Sequence, residues 1–254
     1  MDFSMKTNEF LNNAPLKEVI FELHWELDFI PEQKMHIDTG FETAALNFNS
    51  SCQQGFKVIE MLKPSSIPST AFIHEVTHRF YKEKNQYPIY QFGPGVFTVN
   101  DNNKNYKWDD FNLLILNGIS CLKNSYTKSL VLSKIELRYV DAVPLNILGE
   151  TNKFEFLKKH LKVNAEGYEF VNGTLEDINF TKRFSVSDDS FLNLIIATAF
   201  ENETKQEGII WQTFINNKKR IGWDELPSWI ESAHKIASTT FKNMISDELY
   251  NHFT

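Results

Sequence analysis

Cysteine is nearly absent from this chain. Cys52 and Cys121 are the only two in 254 residues, both fall in segments that read as helical, and no CxxC spacing occurs. No structural disulfide is implied, and free thiols in a reducing compartment are expected. Long apolar runs are also missing: no window approaches the roughly 18 uninterrupted apolar residues of a membrane span. The opening MDFSMKTNEFLNNAPLKEV has no basic stretch followed by an apolar one, so no secretory signal is read. Basic residues are too few to dominate the surface, with Lys+Arg 26 against Asp+Glu 33 and a formal net charge of -7. Nonspecific nucleic-acid binding needs clustered cations that release counterions. The densest groups here, Lys158-Lys159 and Lys218-Lys219-Arg220, are short and read as solvated faces. A cytoplasmic protein with no membrane partner is expected, with nucleic acid disfavoured. The sequons at Asn49, Asn172, Asn179 and Asn202 then reflect abundant Asn rather than glycosylation.

What the chain does have is a core. The apolar share is 42%, with 22 Phe, 8 Tyr and 5 Trp, far from the composition of disorder. Residues 16–28 (LKEVIFELHWELD) alternate as a half-buried strand, with Val19, Phe21, Leu23 and Trp25 on one side. Pro31 sits where a helix over 32–49 could start, although Gly40 interrupts it. Extended segments are expected at 56–63, 71–82 and 88–99, the last broken by a bulge or bend at Gly93-Pro94-Gly95. A helix over 109–124 places Phe111, Leu114, Ile115, Gly118, Ile119 and Leu122 on one stripe. A second strong strand follows at 130–141, then a short helix at 152–162. Strands near 168–186 (with a turn at Gly173), 190–201 and 207–216 come next, and a long amphipathic helix from 224 to 250 closes the chain.

Two stretches are alike. Residues 106–126 and 221–241 align without a gap, placing Trp108 on Trp223, Asp109 on Asp224, Phe111 on Leu226 and Ile115 on Ile230. Both aspartates suit a helix N-terminus, where a carboxylate favours the dipole and accepts orphan N–H groups. Each tryptophan could staple back onto the first turn. Phe21-Glu22-Leu23 likewise matches Ile135-Glu136-Leu137 in the two opening strands. The expected class is therefore α+β, built from two related β-α-β-β-β-α halves, 1–129 and 130–254. Each would be an antiparallel sheet with helices packed on one face, on a helix-grip or saddle-like plan.

One run has catalytic form. His74-Glu75-Val76-Thr77-His78 matches H-E-x-x-H, which on a helix sets both imidazoles on one face to hold zinc, with Glu75 as general base. Residues 71–82 alternate equally well as a strand, however, and there the two His stand about 13 Å apart. No H-x-x-G-x-x-H extension follows. Gly93-Pro94-Gly95 lacks the further glycine and helix of a phosphate loop, and Asp188-Asp189 and Asp109-Asp110 read as turn and cap residues. The aromatics Tyr90, Phe92, Trp211 and Phe214 belong to the core by default, and are the residues that could line a binding face.

The words Ala14-Pro15-Leu16-Lys17-Glu18-Val19-Ile20-Phe21-Glu22, Tyr90-Gln91-x-Gly93-Pro94-Gly95 and Leu137-Arg138-Tyr139, with the terminal Ala233-His234 helix, resemble a sporadically distributed, uncharacterised bacterial family of about 250 residues. The resemblance spans nearly the whole chain and carries no catalytic residues. Its sporadic distribution implies an accessory gene, in a mobile or defence-related cassette. The sequence thus points to a noncatalytic binding or scaffold protein, without a cofactor, acting on a protein partner or small ligand; a homodimer is compatible with it. The alternatives are a zinc hydrolase using His74, Glu75 and His78, and a nucleic-acid binder using a concave sheet.

Overall fold

The computed structural model describes residues 11–52, 55–64, 66–164, 172, 176–200 and 205–254. Gly173 and Asn202 lie outside them. The first strand, β1 (Leu16–Trp25), buries Val19, Phe21, Leu23 and Trp25 completely or nearly so and leaves Ile20, Glu22 and His24 half-exposed, as the alternation requires. The expected helix over 32–49 is shorter. A small hairpin, β2 (Asp28–Ile30) with β3 (Met35–Ile37), occupies its first part, and Pro31 lies in the connecting turn. Helix α1 (Phe41–Ser51) begins only after Gly40, which serves as its N-cap.

Next come β4 (Val58–Met61), a 3-10 turn at Ser69–Ala71, and β5 (His78–Tyr81). The strand expected over 71–82 is confined to its last residues. The segment 88–99 is two strands, β6 (Ile89–Gly93) and β7 (Val96–Asp101), and not one strand with a bulge. Gly93 pairs with Val96, so Pro94-Gly95 reverses the chain, with Gly95 at φ +76. Helix α2 (Trp108–Ser125) buries all six residues of the expected stripe. Then follow β8 (Leu132–Pro144), α3 (Lys153–His160), β9 (Asn179–Ser185), β10 (Ser190–Phe200), β11 (Glu207–Asn217), α4 (Leu226–Met244) and α5 (Asp247–Phe253). The long terminal helix is divided at Ser246, whose hydroxyl accepts the Leu249 N–H at 3.1 Å and caps α5, while its own N–H donates to the His160 carbonyl at 2.8 Å.

The protein is α+β. Nine strands form one large antiparallel sheet in the order β4-β5-β6-β7-β1-β8-β11-β10-β9, with five α-helices among the described residues. None of these helices is long and apolar enough to cross a membrane. Close packing divides the chain into two compact units. The first comprises Glu18–Leu137 and Asn216–Ser232, and the second the described residues up to Lys17, Arg138–Ile215 and Ala233–Thr254.

In the first unit α1 and α2 cover one sheet face. Phe48 of α1 meets the rings of Phe80, Tyr90, Phe92 and Phe97 at 4.8–5.8 Å. Burying each such ring stabilises the fold by roughly 1.5–3 kcal/mol. Gly118 lets α2 lie close, because a Cβ there would stand 2.8 Å from both Phe97 and Tyr90. In the second unit Trp211 of β11 stacks on Phe241 of α4, and Tyr139 of β8 bonds to His234 Nδ1 at 2.7 Å. Helix α3 is capped by Asn152, which accepts from the N–H groups of Phe154 and Glu155.

The two tryptophans aligned in the sequence are anchored differently. Trp108 is the first residue of α2, and its indole N–H donates to Glu231 at 3.1 Å. Trp223 lies in a turn before α4, donates to the Leu130 carbonyl at 2.8 Å and stacks beneath Lys123. Neither aspartate caps a helix through its side chain as expected: Asp109 is inside the first turn of α2, and Asp224 stays in the turn ahead of α4.

Candidate functional site

The first unit's other sheet face is polar, with Glu22, Glu60, Arg79 and Gln91 half-exposed and Thr98 and Asn100 buried. Strand register aligns five residues in one transverse rank: Glu60 faces Arg79, Arg79 faces Gln91, Gln91 faces Thr98, and Thr98 faces Glu22. Because side chains alternate across a strand, directly opposed residues share a face, and this rank runs across β4, β5, β6, β7 and β1. Its bonds are mutually consistent. Arg79 Nε donates to Gln91 Oε1 at 2.8 Å, leaving the Gln91 amide to donate to Thr98 Oγ1 at 3.1 Å and Asn100 Oδ1 at 2.9 Å. The Thr98 hydroxyl then donates to Asn100 Oδ1 at 2.7 Å, and Asn100 Nδ2 to Glu18 at 2.8 Å. Glu60 accepts from the Tyr81 hydroxyl at 2.7 Å and stands 3.9 Å from Arg79.

The rank continues beyond β1. Lys134 of β8 holds Glu22 at 2.7 Å and Glu136 at 3.3 Å, and Asn216 Nδ2 donates to Glu136 at 2.6 Å. Burial would raise the Glu22 carboxyl, but hydrogen bonds from His24 and Lys134 outweigh it and bring it down to about 2. Burial likewise works against the Lys134 ammonium, and the two glutamates overcome it and raise its pKa. Glu22 and Lys134 are therefore held as an ion pair at neutral pH.

Three words picked out in the sequence converge beside this rank. The His74–His78 run is not a helix: residues 72–75 form turns, His74 has φ 59, and only His78 enters β5. The helical geometry that would join His74 and His78 on one metal is absent, because the 3-10 turn ends at Ala71. His78 is buried instead, bonded through Nδ1 to the Thr77 hydroxyl at 2.9 Å and packed 5.7 Å from the Phe41 ring; burial, reinforced by Lys63 against an opposing Glu42, lowers its pKa. The loop carrying His74 and Glu75 lies on the β6–β7 hairpin through His74 N–H to the Pro94 carbonyl at 2.8 Å and Thr77 N–H to the Phe92 carbonyl at 3.0 Å. A Cβ on Gly93 would fall 1.8 Å from the Glu75 carbonyl oxygen, so glycine is what admits the loop.

His74 meets not His78 but His24 of β1. Their Nδ1 atoms are 3.2 Å apart, and His24 Nε2 is 2.7 Å from Glu22 Oε1. Behind them Asp38, itself buried, ties the hairpin to the core. Its carboxylate accepts from the Trp25 indole at 2.9 Å, the Tyr126 hydroxyl at 2.6 Å and the Gly95 N–H at 3.1 Å.

The aromatics expected to line a binding face are placed otherwise. Tyr90, Phe92 and Trp211 are fully buried in the core and present nothing to a ligand. Phe214 alone is half-exposed, with the Arg138 guanidinium 4.9 Å above its ring. His24 and Lys134 were not singled out by motif, whereas Glu22 and Glu136 belong to the matched words Phe21-Glu22-Leu23 and Ile135-Glu136-Leu137. Among the described residues no group of three or more His, Cys, Asp and Glu stands together as a metal cluster. No protein-family model, curated protein or solved structure matches the chain.

Proposed function

We propose that the chain is a noncatalytic binding protein, and that the polar face of its first unit receives a protein segment or a small polar ligand. The observation that supports this is the rank from Glu60 to Glu22. A sheet that buries one face normally leaves a solvated and unorganised one, whereas here five strands contribute directly opposed side chains, of which Arg79, Gln91 and Thr98 are bonded in series. Such pairing holds donors and acceptors at set positions, which is what a recognition surface needs before its partner arrives. It also leaves Glu22, Arg79 and Lys134 engaged with neighbours, which suits a template better than an acid or base awaiting a substrate. The family resemblance supports an accessory, defence-related setting.

Duplication is part of the same reading. In the sheet order, β1 adjoins β7, then β6 and β5, while β8 adjoins β11, then β10 and β9, so each opening strand pairs with the last strand of the meander that follows it.

The test is affinity isolation from the native host with the wild-type chain, the double variant Arg79→Glu/Lys134→Glu, and Leu113→Ser on the exposed side of α2. A stoichiometric partner retained by Leu113→Ser and lost by the double variant is expected. A partner held equally by all three would overturn the assignment of this face.

A nucleic-acid reading draws on a different observation in the second unit. The Arg138 and Arg183 guanidinium groups sit 4.9 and 3.6 Å over Phe214 and Phe191, pairs on whose outer cationic faces a base could stack. It requires salt-dependent retention on single-stranded nucleic acid, and elution at low salt would remove it.

A further inference from the structure

We propose that His24 and His74 bind a divalent metal ion of the zinc class, independently of the partner-binding role. The argument is geometric. Two imidazole nitrogens each about 2.1 Å from one zinc, subtending roughly 100°, stand about 3.2 Å apart with ring centres about 5 Å apart. The two Nδ1 atoms are 3.2 Å apart and the ring centroids 5.0 Å apart. The Gly95 carbonyl oxygen, 3.1 Å from His74 Nδ1, stands at the spacing of a third ligand on the same ion. His74 is exposed, which leaves the remaining coordination positions to water.

The surroundings are those of a ligand pair and not of two chance neighbours. Glu22 Oε1 accepts from His24 Nε2 at 2.7 Å, which places the ring proton on Nε2 and turns the Nδ1 lone pair toward His74. A carboxylate behind the far nitrogen is the usual second layer of a metal-bound histidine, fixing tautomer and basicity. Lys134 donates to the same Glu22 oxygen, Oε1, at 2.7 Å. His74 is kept at φ 59, a left-handed conformation that costs a residue with a Cβ and persists only where the surroundings enforce it. What enforces it is the Pro94 carbonyl on its N–H and a hairpin with no room for a Cβ: one on Gly95 would stand 2.7 Å from His74 Nδ1. Two imidazoles, a carbonyl and water make an open, exchangeable site, distinct from the closed four-ligand kind and from a His74–His78 pair.

The experiment titrates Zn2+ into the chelator-stripped full chain by calorimetry and Co2+ by visible absorption, with folding checked by far-ultraviolet circular dichroism. One ion per chain is expected. Affinity should fall at least about 10-fold in His24→Gln and in His74→Ala, and about 10–100-fold in Glu22→Gln, while His78→Gln binds as wild type. Zinc should also shift the 15N Nδ1 resonances of both histidines together. Absence of Zn2+ and Co2+ binding would overturn the proposal, leaving a hydrogen bond between the rings. Binding that survives both histidine substitutions, or that is lost only with His78, would overturn it equally.

Discussion

Asp141 makes stability depend on pH in a direction opposite to that of most carboxylates. It lies on β8 in the second unit, fully enclosed, and burial pushes its carboxyl up to about 7 from an ordinary 3.8. The Trp211 indole favours the charged form and only partly offsets this, since its N–H reaches no acceptor with hydrogen-bond geometry. In the unfolded chain the group ionises near its ordinary value, so between about pH 4 and pH 7 the folded state holds a proton that the unfolded state has released. Stability therefore falls as pH rises through that window and levels off above it. A shift of about three units at 1.36 kcal/mol each sets a ceiling of roughly 4 kcal/mol, and relaxation around the charge reduces it to about 2–4 kcal/mol. Asp141→Asn keeps the shape and removes the titration. Urea unfolding of both chains from about pH 4.5 to about pH 8.5 should show the variant gaining on wild type as pH rises, by that amount, and holding the gain above pH 7. A difference between the two that stays constant across the range would refute the reasoning.

Two further outcomes follow from the first unit. Asp38→Ala strands the Trp25 indole, the Tyr126 hydroxyl and the Gly95 N–H in a buried site, and should cost about 3–5 kcal/mol in urea unfolding; a loss below about 1 kcal/mol would mean that water replaces the carboxylate. Cys52 and Cys121, buried with Sγ atoms 2.7 Å apart, should react with oxidised glutathione by two exchanges to an intramolecular disulfide, releasing two reduced glutathiones. Mass spectrometry showing glutathione retained on either cysteine would contradict that proximity.

Much of the architecture was legible locally. The alternation of LKEVIFELHW is a direct record of which side each residue faces, and β1 forms with the expected residues buried; β8 forms as well, but its burial does not alternate, since Glu136 is enclosed beside Ile135 and Leu137 while Ser133 is exposed. The stripe on α2 is legible for the same reason. Where local signals compete, reading fails. Gly93-Pro94-Gly95 serves a bend or a hairpin, and only pairing with Val96 and Phe97 selects the hairpin. His74–His78 scores as helix and as strand and is mostly neither, because backbone bonds to Pro94 and Phe92 outweigh its own propensity. The terminal helix breaks at Ser246 because the His160 carbonyl, distant in sequence, takes its N–H.

By itself the amino-acid order determined the α+β class, the faces of the main strands and the scarcity of thiols, since period and composition act over neighbouring residues. Tertiary structure alone decided that Glu22, His24 and His74 meet, that Glu60 and Glu22 share one rank, and that Tyr90, Phe92 and Trp211 are enclosed. Those outcomes depend on strand register and loop closure, which join residues far apart in the chain and leave no periodic trace within either segment.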